Sequence, residues 1–166
     1  MPRDLQQAIG FLLGIAFVLW MAPGKVDADP DPALAGLEAT LIQQVNAVRE
    51  LHHLVPLQRT ADLDAVARAH SRDMVSRGYV AHESPEGANA MHRLAQAKLE
   101  GFSLAAENIG ATDRPGPNHE IVSSWLRSPT HRSNLLSPPF NATGVGIAAA
   151  PDGRLIYTQL YVTYPR

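Results

Sequence analysis

The sequence predicts an α+β domain, a three-layer α–β–α sandwich built around a small antiparallel sheet. Helical periodicity dominates most of the chain, whereas the last quarter alternates with the period of strands. Two β-rich runs, 143–150 and 155–162, flank Pro151-Asp152-Gly153, a strong turn sequence, so we predict a terminal hairpin. Both faces of the last run are substantially apolar, which indicates that other layers cover that strand on both sides.

Four helical patterns precede the hairpin. In the first, leucine and valine recur at three- and four-residue steps, as an amphipathic helix requires. The second has Thr60 as a candidate N-cap and Gly78 as a stop signal. The predicted helices are about 33–51, 60–77 and 88–98, and a fourth through Ile121, Val122 and Trp125 that Ser128-Pro129 ends.

The composition indicates one packed domain, which we expect to be a monomer. The chain has 166 residues, of which 45% are hydrophobic and 18% charged, enough apolar material for a single core. Lys and Arg total 14 against 16 Asp and Glu, and this balance argues against nucleic acid as a partner. Cysteine is absent, which excludes disulfides, a thiolate nucleophile and iron–sulfur clusters.

The N-terminal segment has the pattern of a secretory signal peptide. Arg3 precedes an apolar run over 8–22 that is shorter than the roughly 20 residues of a spanning helix. Val26-Asp27-Ala28 offers a cleavage site, so we predict a signal peptide at 1–28, a linker at 29–33 and one domain at 34–166. The mature protein is then secreted or periplasmic. The alternative is an uncleaved membrane anchor.

Three side chains are the strongest candidates for chemistry. His82 and His131 fall in predicted loops, where functional groups are common. Glu107 is a lone acid in an apolar stretch, and we expect it to be buried against His82, His131 or a cation. For His70, within a helix, packing or surface exposure is the default interpretation. In Gly144-Val145-Gly146, close backbone packing explains the glycines better than phosphate binding does.

Several segments that carry a family resemblance follow one another along almost the whole predicted domain. They are Asn46-Ala47-Val48-Arg49, the helix at 70–74, the loop 79–87, Ala106-Glu107-Asn108-Ile109-Gly110, the segment WLRSPTHRSNL at 125–135, 140–148 and Tyr157-Thr158-Gln159. With these segments in this order, the chain resembles the CAP superfamily (cysteine-rich secretory protein, antigen 5, pathogenesis-related 1) in its short bacterial secreted form. The resemblance implies an α–β–α sandwich, the fold class predicted above.

The resemblance also implies a cavity with two histidines and two glutamates that can hold a divalent metal. His82 and Glu107 match the first histidine and first glutamate, but Ser128 and Ile156 stand at the other two positions. His131 could fill part of the gap. His82, Glu107 and His131 would then form an open zinc site with water as fourth ligand. The alternative is a hydrogen-bonded cluster that only ties the loops together.

Other matching positions are expected to be structural or to line the cavity. Asn46 and Arg49 would bind backbone carbonyls or a carboxylate, and Asn108 would satisfy backbone groups near the sheet. Ser128, Tyr157 and Gln159 are predicted to line the cavity. The residues expected to have structural roles are Asn46, Arg49, Asn108, Trp125, Arg132 and Asn134.

We predict a secreted, non-catalytic binding module with a His/Glu-lined cavity that binds a divalent metal weakly. Its partner would be a small ligand, either a lipid or a carbohydrate, or an envelope protein. The alternative is a metal-dependent hydrolase of peptidase type with Glu107 as the base. A serine hydrolase using Ser84 and His82 is weaker, since nothing identifies an oxyanion hole. A third possibility is a structural envelope protein with a vestigial cavity.

Overall fold

The computed structural model describes residues 31–165, which form five helices around a four-stranded sheet. The helices are α1 (Pro32–Leu51), α2 (Ala61–Arg77), α3 (Ala90–Gln96), α4 (Pro117–Arg127) and α5 (Pro129–Leu135). The strands are β1 (Gln58–Arg59), β2 (Leu104–Thr112), β3 (Ala142–Ala149) and β4 (Leu155–Thr163). The predicted signal peptide lies outside the described residues. Within residues 31–165, none of the helices has the length and hydropathy to cross a membrane.

The sheet has the strand order β1-β3-β4-β2. The predicted hairpin is the antiparallel pair of β3 and β4, and β2 pairs antiparallel with the other side of β4. The two-residue β1 is parallel to β3, so the sheet is mixed at that one edge. At the opposite edge, β2 places Glu107 beside Leu160.

Helices cover both faces of the sheet, which confirms the predicted α+β sandwich. Tyr157 and Tyr161 face a core that contains side chains of α1, α4 and α5. Leu160 and Val162 alternate with them on the same strand and face a second core formed with α2 and α3. Because side chains alternate across a strand, one run with two apolar faces supplies both cores.

Two glycines of β3 allow α2 to lie directly on the sheet. A Cβ atom at Gly144 would lie 2.2 Å from the carbonyl carbon of Leu63, and one at Gly146 would lie 2.0 Å from the backbone nitrogen of Arg68. Ser71 of α2 adds a hydrogen bond between the helix and the strand, because its hydroxyl donates to the Gly146 carbonyl at 2.9 Å. Close backbone packing, the interpretation favoured from the sequence, is therefore what these glycines provide.

Helix capping explains the start of α1 and the presence of α5, a helix that the sequence did not predict. The Asp31 side chain accepts from the Ala33 N–H, and α1 begins at Pro32, inside the predicted linker 29–33. Pro129 follows the end of α4 as predicted, but it is also the first residue of α5. His131 therefore lies on a helix rather than in a loop. Proline suits both places, because the first helical residue needs no N–H partner.

Strand β2 is the other element that the sequence did not predict in full. It lies at the sheet edge, and its outer carbonyls are capped by side chains instead of a further strand. The Trp125 indole N–H donates to the Ile109 carbonyl at 2.8 Å, and Asn134 Nδ2 donates to the Glu107 carbonyl at 3.2 Å. Asn108 Nδ2 donates to the His131 carbonyl at 3.0 Å. These contacts join α4 and α5 to the strand that carries Glu107.

Polar side chains of α1 bind the backbone of the segments that lead into β1 and β3. Asn46 exchanges two hydrogen bonds with the backbone of Leu57, at 3.0 and 2.8 Å. Arg49 is fully buried, and its guanidinium donates to four carbonyls, those of Val55, Leu135, Ser137 and Phe140. Arg132 was expected to have a similar role, but its side chain is exposed on α5 and makes no hydrogen bond within residues 31–165.

Candidate functional site

Glu107 lies at the centre of a cluster of charged and imidazole side chains. Its position on β2 turns the carboxylate toward the α2 and α3 side of the sheet, where only 4% of the side chain is exposed. Oε1 accepts from His82 Nδ1 at 2.9 Å, and Oε2 accepts from Arg93 Nη2 at 2.6 Å. Both oxygens of the buried carboxylate are therefore engaged, one by an imidazole and the other by a guanidinium.

Arg93 is the partner that the sequence did not identify. It lies on α3, and its guanidinium also donates to the backbone carbonyls of Ala88, at 2.8 Å, and His82, at 3.2 Å. The same side chain therefore neutralises Glu107 and anchors the loop that carries His82. Half of the His82 side chain, 51%, is exposed, so its ring reaches solvent beside a buried ion pair.

His70 is the second residue that sequence reasoning missed. On α2 it is 2% exposed, and its Nε2 lies 3.1 Å from the Ala81 carbonyl and 3.9 Å from Glu107 Oε1. Burial lowers the pKa of His70, because charging the ring inside the protein is costly. Nearby Glu107 opposes that shift only in part. The neutral ring then donates from Nε2 to the carbonyl.

His131 approaches the cluster from α5, on the other side of His82. The two rings are 6.2 Å apart between centroids and tilted by 37°. Desolvation by burial, and then the nearby His82, lower the pKa of His131 below its ordinary value. His131 makes no hydrogen bond to Glu107 in the described part of the chain, so of the two histidines predicted to be ligands only His82 is bonded to the carboxylate.

Tyr157 and Gln159 do not line an accessible cavity, contrary to the prediction from the sequence. Tyr157 and Gln159 are fully buried; the Tyr157 hydroxyl donates to Asn118, and Gln159 donates to Thr143. Both belong to the core, because both faces of β4 are covered. Ser128 lies at the junction of α4 and α5, and Ile156 offers only a buried hydrocarbon side chain.

The cluster does not fit the zinc site suggested by the sequence. A zinc ligand must present a free lone pair at about 2.0–2.2 Å from the metal. Glu107 already shares its oxygens with His82 and Arg93, and the guanidinium brings a positive charge to the place a cation would take. Among residues 31–165, no group of three or more His, Asp or Glu side chains is arranged to hold a metal ion.

Ser84 has the structural role that its position in a turn suggests. Its hydroxyl accepts from the Ala88 N–H at 3.2 Å, and its carbonyl accepts from the Gly87 N–H at 2.8 Å. These bonds close the turn between α2 and α3. The imidazole Nδ1 of His82 is directed to Glu107, so the contacts of Ser84 are those of a turn residue.

A groove of about 950 Å³ opens between α2 and α3, directly beside the cluster. Its apolar lining comes from one face of α2 and the end of α3, through Ala65, Val66, Ala69, Ala97 and Leu99. His70 and Arg93 belong both to this lining and to the cluster. The charged residues along it are Asp62, Asp73, Arg77, Glu86, Arg93 and Lys98.

One donor at the groove has no partner. Arg93 Nε is buried and makes no hydrogen bond to any residue of 31–165, although the two Nη atoms of the same guanidinium do. A buried N–H without an acceptor is costly, and a bound acceptor would remove that cost. At the rim, Lys98 forms no ion pair with any residue in 31–165, whereas Arg77 is paired with Glu86.

Comparison with known proteins finds a family match across most of the domain. The model of the cysteine-rich secretory protein family, CAP, matches residues 42–161. YkwD of Bacillus subtilis strain 168 is 32% identical over 130 residues, which cover 78% of this chain and 48% of that protein. The chain thus spans about half the length of this relative.

Solved structures agree with the sequence comparison. An extracellular protein containing an SCP domain from Bacillus anthracis strain Ames has a TM-score of 0.70 and 31% identity, over 82% of this chain and 45% of that one. An outer surface protein from Borrelia burgdorferi has a TM-score of 0.71 over 78% of this chain and 94% of that one. The latter is 19% identical and shows the shared fold alone.

Proposed function

This chain belongs to the cysteine-rich secretory protein (CAP) family, and we propose that it is a secreted, non-catalytic binding module for an amphipathic lipid. The ligand, of the long-chain fatty acid type, would lie in the groove between α2 and α3. The observation that carries this proposal is the groove itself, which has an apolar stretch along α2 and is lined in part by Arg93, whose buried Nε has no hydrogen-bond partner among residues 31–165. The proposal of secretion rests on the signal-peptide pattern and on the similarity to an extracellular Bacillus anthracis protein. Mass spectrometry of the exported protein should find that it begins at Asp29.

The size and lining of the groove suit an acyl chain. A volume of about 950 Å³ lies within the usual range for small-ligand sites, roughly 300–1,000 Å³. The face of α2 from Asp62 to Arg77 contributes to the lining, and at 1.5 Å per residue it is about 22 Å long. Alanines at 65 and 69 leave room above this face. Burying methylene groups there stabilises the complex by about 0.8 kcal/mol each.

Two of the charged residues of the groove, Arg93 and Lys98, suit a single anionic or carbonyl head. Arg93 Nε needs one acceptor, and the Lys98 ammonium at the rim can approach a negative charge. A carbohydrate fits the apolar part of the groove less well, because hydroxyls that lie against alanine, valine and leucine there find no hydrogen-bond partners. The lining therefore favours one polar end on an apolar body.

The contacts of Glu107 argue for binding rather than hydrolysis. A general base needs a lone pair that can reach a water or a substrate proton. Here both carboxylate oxygens already accept hydrogen bonds, one from an imidazole and the other from a guanidinium. We therefore expect no peptidase or esterase turnover, with or without added zinc.

A fluorescent fatty acid, cis-parinaric acid, tests the proposed site. We expect saturable binding to the wild type at a ratio of one to one. Ala69→Trp places an indole in the middle of the groove and should weaken binding at least about tenfold, equivalent to about 1.4 kcal/mol. The measurement is fluorescence titration at fixed pH and salt.

Ala95→Trp is the matched control. Ala95 is an exposed helical alanine on α3 that does not line the groove, so this change adds the same indole elsewhere. It should bind the fatty acid as the wild type does. Equal loss in both variants, or no loss in Ala69→Trp, would remove the groove as the binding site. Turnover of a peptide or ester that disappears in Glu107→Gln would overturn the non-catalytic assignment.

A further inference from the structure

We propose that the Arg93 guanidinium is a built-in cation of this domain, which occupies the place of a divalent metal at Glu107 and excludes one. Arg93→Ala would then convert the cluster into a metal-binding site. This inference does not depend on what the groove binds. It rests on the contacts of one carboxylate and on the imidazoles that surround it.

The first observation is the environment of Glu107. Only 4% of its side chain is exposed, and a carboxylate so buried requires a positive partner or several donors. Arg93 supplies that charge at 2.6 Å from Oε2, and its own side chain is 11% exposed. The carboxylate is therefore already compensated by a charge that belongs to the chain.

The second observation is that Arg93 is held in place independently of Glu107. Its guanidinium donates to the Ala88 carbonyl at 2.8 Å and to the His82 carbonyl at 3.2 Å. It is also attached to α3, which packs through the fully buried Leu94. A metal ion would have to displace this anchored cation, and would meet like-charge repulsion in doing so.

The third observation is the set of side chains that remains when the guanidinium is taken away. Glu107 would keep a free oxygen, with His82 Nδ1 at 2.9 Å and His70 Nε2 at 3.9 Å from its other oxygen. The ring of His131 follows at 6.2 Å from that of His82. One carboxylate and two nearby imidazoles are ligand types that zinc prefers. Within residues 31–165 they do not yet surround a common point, so the rings must turn toward the space that the guanidinium leaves.

Zinc titration calorimetry on the wild type, Arg93→Ala and Arg93→Lys tests the inference. We expect no zinc binding at the cluster in the wild type. Arg93→Ala should bind one zinc ion per chain, with an affinity at least about tenfold above that of any residual binding by the wild type. Arg93→Lys keeps the positive charge and should behave as the wild type does. Circular dichroism checks that each variant is folded. If Arg93→Ala does not fold, Arg93→Met takes its place, because methionine keeps the packing of the side-chain stem.

The double variant His82→Ala with Arg93→Ala separates the cluster from histidines elsewhere. His52, His53, His92 and His119 are exposed and can bind zinc weakly on their own. Zinc binding gained through Arg93→Ala should be lost in the double variant. Wild-type zinc binding that is lost in His82→Ala would overturn the proposal, and so would a folded, neutral variant at position 93 that gains no affinity.

Discussion

Glu107 is the residue on which the site depends, because it connects three elements of the fold. It lies on β2, receives His82 from the loop after α2, and receives Arg93 from α3. Its lone position in an apolar sequence was the signal that it would be buried. The identity of its cation was not readable in the same way, since Arg93 has no local pattern that relates it to a strand 14 residues later.

Replacing Glu107 should destabilise the fold. Glu107→Ala leaves the Arg93 guanidinium nearly buried without its carboxylate, and breaking one side of such a pair costs about 3–5 kcal/mol. Urea unfolding at pH 7 measures the change. Glu86→Ala is the control, because it removes an exposed carboxylate paired with Arg77 and should have a far smaller effect. Equal unfolding midpoints for Glu107→Ala and the wild type would contradict the burial of this pair.

His70 should make the protein less stable in mild acid. Burial lowers the pKa of His70 in the folded state, whereas the unfolded chain keeps a pKa of about 6.5. The unfolded state then binds more protons below that pH, so the stabilisation is complete above about pH 6.5 and is lost as the pH falls. His131, whose pKa is also lowered, contributes in the same direction.

Urea midpoints at pH 7 and pH 5 check this expectation. The wild type should lose stability between the two, and His70→Gln, which cannot take up that proton, should lose less. His119→Gln changes an exposed histidine on α4 and should follow the wild type. A His70→Gln variant with the same pH dependence as the wild type would show that this ring does not titrate as its burial requires.

At the level of elements, α2 and β3 pack so closely that only glycine fits at positions 144 and 146 of the strand. The backbone of α2 lies where a Cβ atom of Gly144 or Gly146 would be, at 2.2 and 2.0 Å. Backbone atoms cannot rotate away as a flexible side chain can, so an added methyl group must push the helix off the sheet. Overpacking of this kind usually costs about 1–3 kcal/mol, and more where the neighbour is fixed.

Replacing glycine by alanine should therefore lower the stability of the protein in β3 and raise it in α1. Gly144→Ala and Gly146→Ala should each lower the thermal midpoint strongly or prevent folding. Gly36→Ala lies within α1 with no atom near the added methyl group and should stabilise by about 0.5–1 kcal/mol, as alanine does in a helix. A neutral result at both β3 positions would mean that α2 does not lie this close to the strand.

The elements were predictable where the pattern is local. Helices α1 and α2, with caps at Thr60 and Gly78, follow from periodicity and capping, and the hairpin follows from its turn. Strand β2 was harder to predict, because it is rich in small and polar residues. Its outer carbonyls accept hydrogen bonds from side chains of α4 and α5, which are distant in the sequence. Helix α5 begins at Pro129, directly after α4. Because Ser128-Pro129 is a typical helix end, the pattern does not indicate that a second helix starts there.

At the level of the whole molecule, the groove is the feature that the sequence could not predict. It exists because α3 stands away from the small side chains of α2, and that spacing depends on how both helices reach the sheet. The sequence correctly indicated the sandwich and the burial of Glu107. The sequence placed the candidate ligand site at His82, Glu107 and His131, whereas we propose that the ligand binds in the neighbouring groove between α2 and α3.

The most direct test of the binding function is to map the ligand on the wild-type protein. Amide chemical shifts should be recorded by NMR while a long-chain fatty acid is added. We expect the largest changes at Ala65, Ala69 and Leu99, in the groove between α2 and α3. Changes centred instead on the smaller cavity of about 290 Å³ beside Trp125, or the absence of any saturable change, would contradict the proposed site.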